Sequence, residues 1–168
     1  MLKFRADASS TENLSSNNKW RKVVIAMDGS EPARYALKWY VANVYRQDDR
    51  IILVYAMEHH HAKLLANSEK EGNSKTDIDE RTKLKEKLDS FQQLLSDFKL
   101  MGEIKPVSDK TPGKAILNAV EELNADVLVT GSRGHGTLKR AFLGSVSNYI
   151  VHHAHIPVII CRETSSEV

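Results

Sequence analysis

Cysteine is almost missing from this chain: among 168 residues only Cys161 carries a thiol, so an internal disulfide is excluded and the fold must rest on its core. A lone cysteine fits a reducing compartment. Cys161 lies in an apolar stretch, where it reads as a small buried hydrophobe rather than a reactive thiol. Long apolar runs are missing too. None approaches the roughly 18 residues that cross a bilayer, and the first residues, MLKFRADASSTENLSSNN, contain no apolar block of signal-peptide length. The expectation is a cytoplasmic protein with no membrane contact, for which the glycosylation triplet at Asn13, Leu14 and Ser15 has no role.

An excess of one charge is also lacking. Lys and Arg number 24 against 22 Asp and Glu, and the signs are interleaved, so no nucleic-acid footprint is present. The apolar content of 41% is that of an ordinary globular protein, and the length suits one domain with a substantial core. Residues 1–19 stand apart. Rich in Ser and Asn and poor in apolar side chains, they are expected to form a mobile leader before a domain at 20–163, with 164–168 as a polar tail.

What is present is alternation. The run Val23, Val24, Ile25, Ala26 and Met27 predicts a strand covered on both faces, ending at Asp28, Gly29 and Ser30. Ser30 suits an N-cap and Pro32 a first helical turn, and Ala33, Ala36, Leu37, Tyr40, Val41 and Val44 then share one helical face. A second strand is predicted at 51–57, followed by a polar loop at 58–76. Its His59, His60 and His61 diverge as neighbours do, and no carboxylate or cysteine completes a metal site, so they read as solvated. The stripe Leu84, Leu88, Phe91, Leu95 and Phe98 predicts a helix over 77–101, with Gly102 as its stop. A weaker strand at 103–108 follows, and Pro112 and Gly113 open a short helix whose Ile116, Ala119, Val120 and Leu123 face inward. Strands at 127–130 and 156–161 flank a last helix, near whose end His152, His153 and His155 suit the helix dipole. Five such alternations predict an α/β fold, a parallel sheet with helices on both faces.

The stretch 131–147, GSRGHGTLKRAFLGSVS, links the fourth strand to the last helix. Gly131 and Gly134 let backbone amides approach a ligand, and Gly144, Ser145, Val146 and Ser147 open a helix with unpaired N–H groups and two hydroxyls. That is the chemistry of a phosphate seat; a tight loop that merely lets helix and strand pack is the alternative, and spacing leaves both open. The two common nucleotide loops are excluded. No G-x-G-x-x-G follows the first strand, and Gly113-Lys114 is followed by Ala115, with Ser108 where a Walker A glycine belongs.

The pattern G-x2-G-x9-G-S resembles the ATP-binding signature of the universal stress protein family. MDGSE at Met27 to Glu31 and the ending HIPVIIC resemble that family's first and last strands, so the likeness spans about Trp20 to Arg162. The resemblance implies a Rossmann-like, adenine nucleotide alpha hydrolase-like open sheet of order 3-2-1-4-5, in which a crevice opens between the first and fourth strands. It implies ATP as the ligand. Ala26, Met27 and Thr130 would border the nucleotide, Asp28 would serve the ribose or Mg²⁺, and Ala56 would meet adenine through its backbone. Gly131, Arg133 and Gly134 would surround ribose and phosphates, with Gly144, Ser145, Val146 and Ser147 at the phosphates and added charge from Lys139 and Arg140. Ala56 is smaller than the branched residue often found there. A homodimer through the last strand is also implied.

No catalytic constellation is legible, although His135 sits in the loop. A nucleotide-binding regulatory module of the stress response, with at most slow ATP hydrolysis, is therefore the first reading. The alternatives are a nucleotide hydrolase or adenylate-transferring enzyme on the same fold, and a nucleotide-free dimeric interaction protein.

Overall fold

The computed structural model describes residues 20–66, 75–133 and 143–163. Five strands form one parallel sheet: β1 (Arg21–Ala26), β2 (Asp49–Ala56), β3 (Gly102–Val107), β4 (Val127–Gly131) and β5 (Val158–Cys161), in the order β3-β2-β1-β4-β5. Helices α1 (Glu31–Asn43) and α3 (Lys75–Asp97) pack on one face, and α4 (Pro112–Leu123) and α5 (Ser145–His153) on the other. The sheet, the layering and the strand order are those expected.

Alternation along β1 explains the continuous apolar run. Val23, Ile25 and Met27 enter the core under α1 and α3, while Val24 and Ala26 enter the one under α4 and α5. A strand inside a covered sheet has no wet face, so beyond Arg21 and Lys22 at the strand's start every side chain is apolar. Tyr40 and Phe91 are the largest side chains wholly out of water, both in the first core. Cys161 joins that core, and burial pushes its thiol up to about 11, so it stays protonated and unreactive at neutral pH.

Local signals set most boundaries. The Ser30 hydroxyl accepts the Ala33 N–H at 3.4 Å, capping α1 with Pro32 in its first turn. α4 ends at Asn124, which adopts the left-handed conformation (φ 49°) that asparagine tolerates. At the end of α5, His152 and His153 each donate from Nδ1 to the carbonyl four residues back, at 2.8 Å.

Two expectations fail. The segment after β2 is not a continuous loop to residue 76, because His59–Ala66 forms a helix, α2, and α3 begins at Lys75. Residues 59–66 contain no Gly or Pro, Ala62 packs against the first core, and His60 Nε2 lies 2.7 Å from Glu80 Oε2 of α3. Tertiary contact thus stabilises a helix whose polar residues conceal it. Gly102 is not a helix stop either. α3 ends at Asp97, the chain turns at Lys99 (φ 54°), and Gly102 already belongs to β3. A Cβ there would lie 2.8 Å from the Ile51 carbonyl oxygen, so glycine serves close strand approach.

The amino end of the sheet is closed by a buried polar cluster. Asp49, 6% exposed, accepts from Arg21 Nε at 2.7 Å, Arg21 Nη2 at 2.6 Å, the Arg46 amide at 2.7 Å and the Tyr40 hydroxyl. Burial alone would raise this carboxyl; the Arg21 guanidinium, the Tyr40 hydroxyl and the Arg46 amide outweigh it and hold it below the ordinary aspartate value. Next to it, the Lys22 amide donates to Asp126 at 2.8 Å and Lys22 Nζ to the Leu123 carbonyl at 2.7 Å.

Candidate functional site

At the carboxyl end the sheet opens. β1 is the hinge of the strand order: α1 leaves it for one face and α5 leaves β4 for the other, so the connections part above β1 and β4. The pairing of β1 with β2 ends at Ala26 opposite Val54, and that with β4 at Ile25 opposite Val129. Successive residues of a strand aim their N–H and C=O groups at opposite neighbours. The Met57 amide bonds to the Val107 carbonyl of β3 at 2.7 Å, so the main-chain groups of Ala56 face the β1 side, past its last pairing. By the same parity, the Ser132 amide bonds to Cys161 at 2.8 Å and the main chain of Gly131 faces inward from the other flank.

Between these flanks lies a cavity of about 340 Å³, within the range of small-molecule clefts. One end is apolar, with Val54, Ala56, Pro112 and Ile116. The other is polar, with Asp28, Arg133 and the first turn of α5, and these two are the charged side chains lining it among the described residues. Ala26, Met27, Asp28, Ala56, Thr130, Gly131, Arg133, Gly144, Ser145, Val146 and Ser147 all line this one space. Gly134, Lys139, Arg140 and His135 lie outside the described residues.

The polar end is built with care. In α5 the first intrahelical bond runs from the Asn148 amide to the Gly144 carbonyl at 2.9 Å, so the amides of Ser145, Val146 and Ser147 have no acceptor within the helix. These three donors, at the positive end of the helix dipole, border the cavity. The Gly144 amide is engaged elsewhere, on the Ser132 carbonyl at 2.8 Å. So is the Ser147 hydroxyl, which is buried and donates to the carbonyls of Ser132 at 3.0 Å and Gly144 at 3.1 Å. The expectation that both serine hydroxyls face the ligand is corrected at Ser147: its side chain ties the helix start to the end of β4.

Asp28 is held by its own turn. Its Oδ1 accepts the Ser30 amide at 2.8 Å and the Ser30 hydroxyl at 2.6 Å, a turn that requires the positive φ of Gly29 (86°). Gly131 has a packing reason for being glycine, since a Cβ would lie 2.7 Å from the Pro32 carbonyl oxygen at the start of α1. Sequence reasoning missed Ala33, Val54, Pro112, Ile116 and Leu143 as lining residues. Their only signal is apolarity, which in sequence is indistinguishable from core. Among the described residues no group of three or more His, Cys, Asp or Glu could hold a metal ion, and no helix is long and apolar enough to cross a membrane.

Similar proteins share this architecture. The chain is 29% identical over 160 residues to universal stress protein PHOS34 of Arabidopsis thaliana, covering 84% of this chain and 62% of that one. It is 28% identical over 150 residues to universal stress protein Sll1388 of Synechocystis, covering 84% and 97%. It thus spans less than two thirds of some curated relatives, 46% for Slr1101 of Synechocystis and 64% for PHOS32 of Arabidopsis thaliana. Among solved structures, a universal stress protein family protein of Arabidopsis thaliana with AMP bound superposes with a TM-score of 0.62 at 20% identity, covering 88% of this chain and 94% of that one. A universal stress protein in complex with cAMP also gives 0.62, at 22% identity, covering 86% and 98%. The model of the universal stress protein family matches residues 19–162, and the chain belongs to that family.

Proposed function

We propose that the chain is a nucleotide-dependent regulatory module that binds ATP in the cavity between β1 and β4. The observation that carries this reading is the set of three amides without helical acceptors, in Ser145, Val146 and Ser147, which line a cavity whose other walls include Val54, Ala56, Pro112 and Ile116. A phosphate group takes the amides and the Arg133 charge, and the base lies against Val54 and Ile116 with its edge on the main chain of Ala56. The AMP and cAMP of two structural relatives support an adenine nucleotide.

Asp28, which lines the cavity, fits a ribose hydroxyl or, with the phosphates, Mg²⁺, since a carboxylate is a partner for either. Mg²⁺ would neutralise phosphate charge beside that carboxylate. We further propose a homodimer through β5, the edge strand beside β4, whose pairing across a two-fold would cover an otherwise open edge.

Ser145→Pro tests the seat. Proline is accommodated at the first helical position and after the extended backbone of Gly144 (ψ 165°), yet it deletes one amide donor. The expected result in calorimetry is a loss of about tenfold or more in ATP affinity, a charge-assisted hydrogen bond being worth roughly 1.5–3 kcal/mol, with the melting temperature unchanged. Unchanged affinity would remove the seat from consideration.

A further inference from the structure

Past Ala56 and Pro112, which line the apolar end of the cavity, a second hollow of about 410 Å³ continues between the ends of β2 and β3. Its other walls include Glu58, His59, Asp109 and Lys110. Two of the polar side chains there, Asp109 and His59, are engaged. Asp109 accepts from Asn118 Nδ2 at 2.8 Å and from the Lys110 amide, and His59 Nδ1 lies 3.4 Å from the Ser108 hydroxyl. Carboxylates and a lysine of opposite sign share the rim, so neither an anion nor a cation is selected. The two hollows share Ala56 and Pro112 as lining, and at residue 56 the side chain between them is a single methyl.

A base anchored by phosphates at residues 145–147 presents its far edge to Ala56. Adenine carries on that edge the N1 acceptor and the exocyclic amino group, which complement a main-chain N–H and C=O. One amino hydrogen suffices for the carbonyl of Ala56; the other position is free to carry a group. We propose that the second hollow receives a neutral substituent on the exocyclic amino nitrogen, so that this chain takes N6-alkyl and N6-arylalkyl adenine nucleotides as well as ATP. The inference rests on the nucleotide reading above, and it assigns to the small side chain of Ala56 the role of keeping the passage open.

Calorimetric titration with ATP and with N6-benzyl-ATP tests it. Wild-type protein is expected to bind N6-benzyl-ATP at least as tightly as ATP. His59→Trp and Lys110→Trp, both at exposed positions, fill the hollow from opposite walls and should weaken N6-benzyl-ATP by about tenfold or more while ATP affinity stays constant. Retained ATP binding shows that each variant is folded. Wild-type protein that binds ATP but accepts N6-benzyl-ATP at least about tenfold more weakly overturns this inference alone, as does an equal loss for both ligands in the tryptophan variants. Failure of both nucleotides to bind wild-type protein overturns the nucleotide reading and this inference with it.

Discussion

The two ends of the sheet handle polar groups in opposite ways. At the amino end, Asp49 collects four donors from Arg21, Tyr40 and Arg46, and Lys22 is tied to Asp126 and Leu123. At the carboxyl end, the first-turn amides of α5 have no helical acceptor and border a cavity with Asp28 and Arg133. Burying a charge is tolerable only when its partners are close, so the amino end is a finished structure. The first-turn amides at the open rim have no such partners within the helix. The difference predicts that stability and nucleotide binding can be altered separately along the same five strands.

Asp49→Ala should produce the largest change. It strands Arg21 and Tyr40 without their acceptor, and breaking such a pair costs about 3–5 kcal/mol, at the lower end here because Arg21 keeps 20% side-chain exposure. The urea midpoint at pH 7 would fall accordingly, while the ATP affinity of the folded fraction stays constant. The effect has a pH signature. Because the folded state holds this carboxyl below its unfolded value of about 4, its contribution is complete above that value and is lost as pH falls through the lower folded one. Midpoints of wild-type and variant protein should therefore converge in acid. A variant that retains its midpoint but loses ATP would break the separation of roles.

Gly131→Ala is expected to act at both levels. Its Cβ would meet the Pro32 carbonyl, rigid backbone that cannot swing aside, so a shift of β4 against α1 costs about 1–3 kcal/mol. The same shift moves an inward-facing main chain at the cavity and should lower ATP affinity. Normal melting with normal affinity would show that the loop relaxes freely.

Ser147→Ala should be the mildest. It removes the hydroxyl bridge to Ser132, whose carbonyl keeps the Gly144 amide, so the loss is about 1 kcal/mol in chemical denaturation. ATP affinity should hardly move, because the amide remains. A large loss of affinity would mean that the hydroxyl turns to the ligand after all and would blur the contrast.

Much of the fold is legible in the sequence. β1 and β4 announce themselves as unbroken apolar runs because both faces are covered, and α1 carries its own cap and apolar stripe. α2 did not, since three histidines mask a helix that its packing on α3 stabilises. In the site, the glycines, Asp28 and the serines stood out by type. Val54, Pro112 and Ile116 did not, because an apolar wall and an apolar core look alike in one dimension.

Sequence by itself determined which side chains leave water and where the chain turns, since periodicity and local backbone preference act over a few residues. Tertiary structure alone decided that Ser147 would face Ser132 rather than a ligand, that Gly131 would lie under Pro32, and that a second hollow would open beside Ala56. Those contacts join segments brought together by strand order and crossover, and a distance of 3 Å between such segments is set by the packing of everything between them.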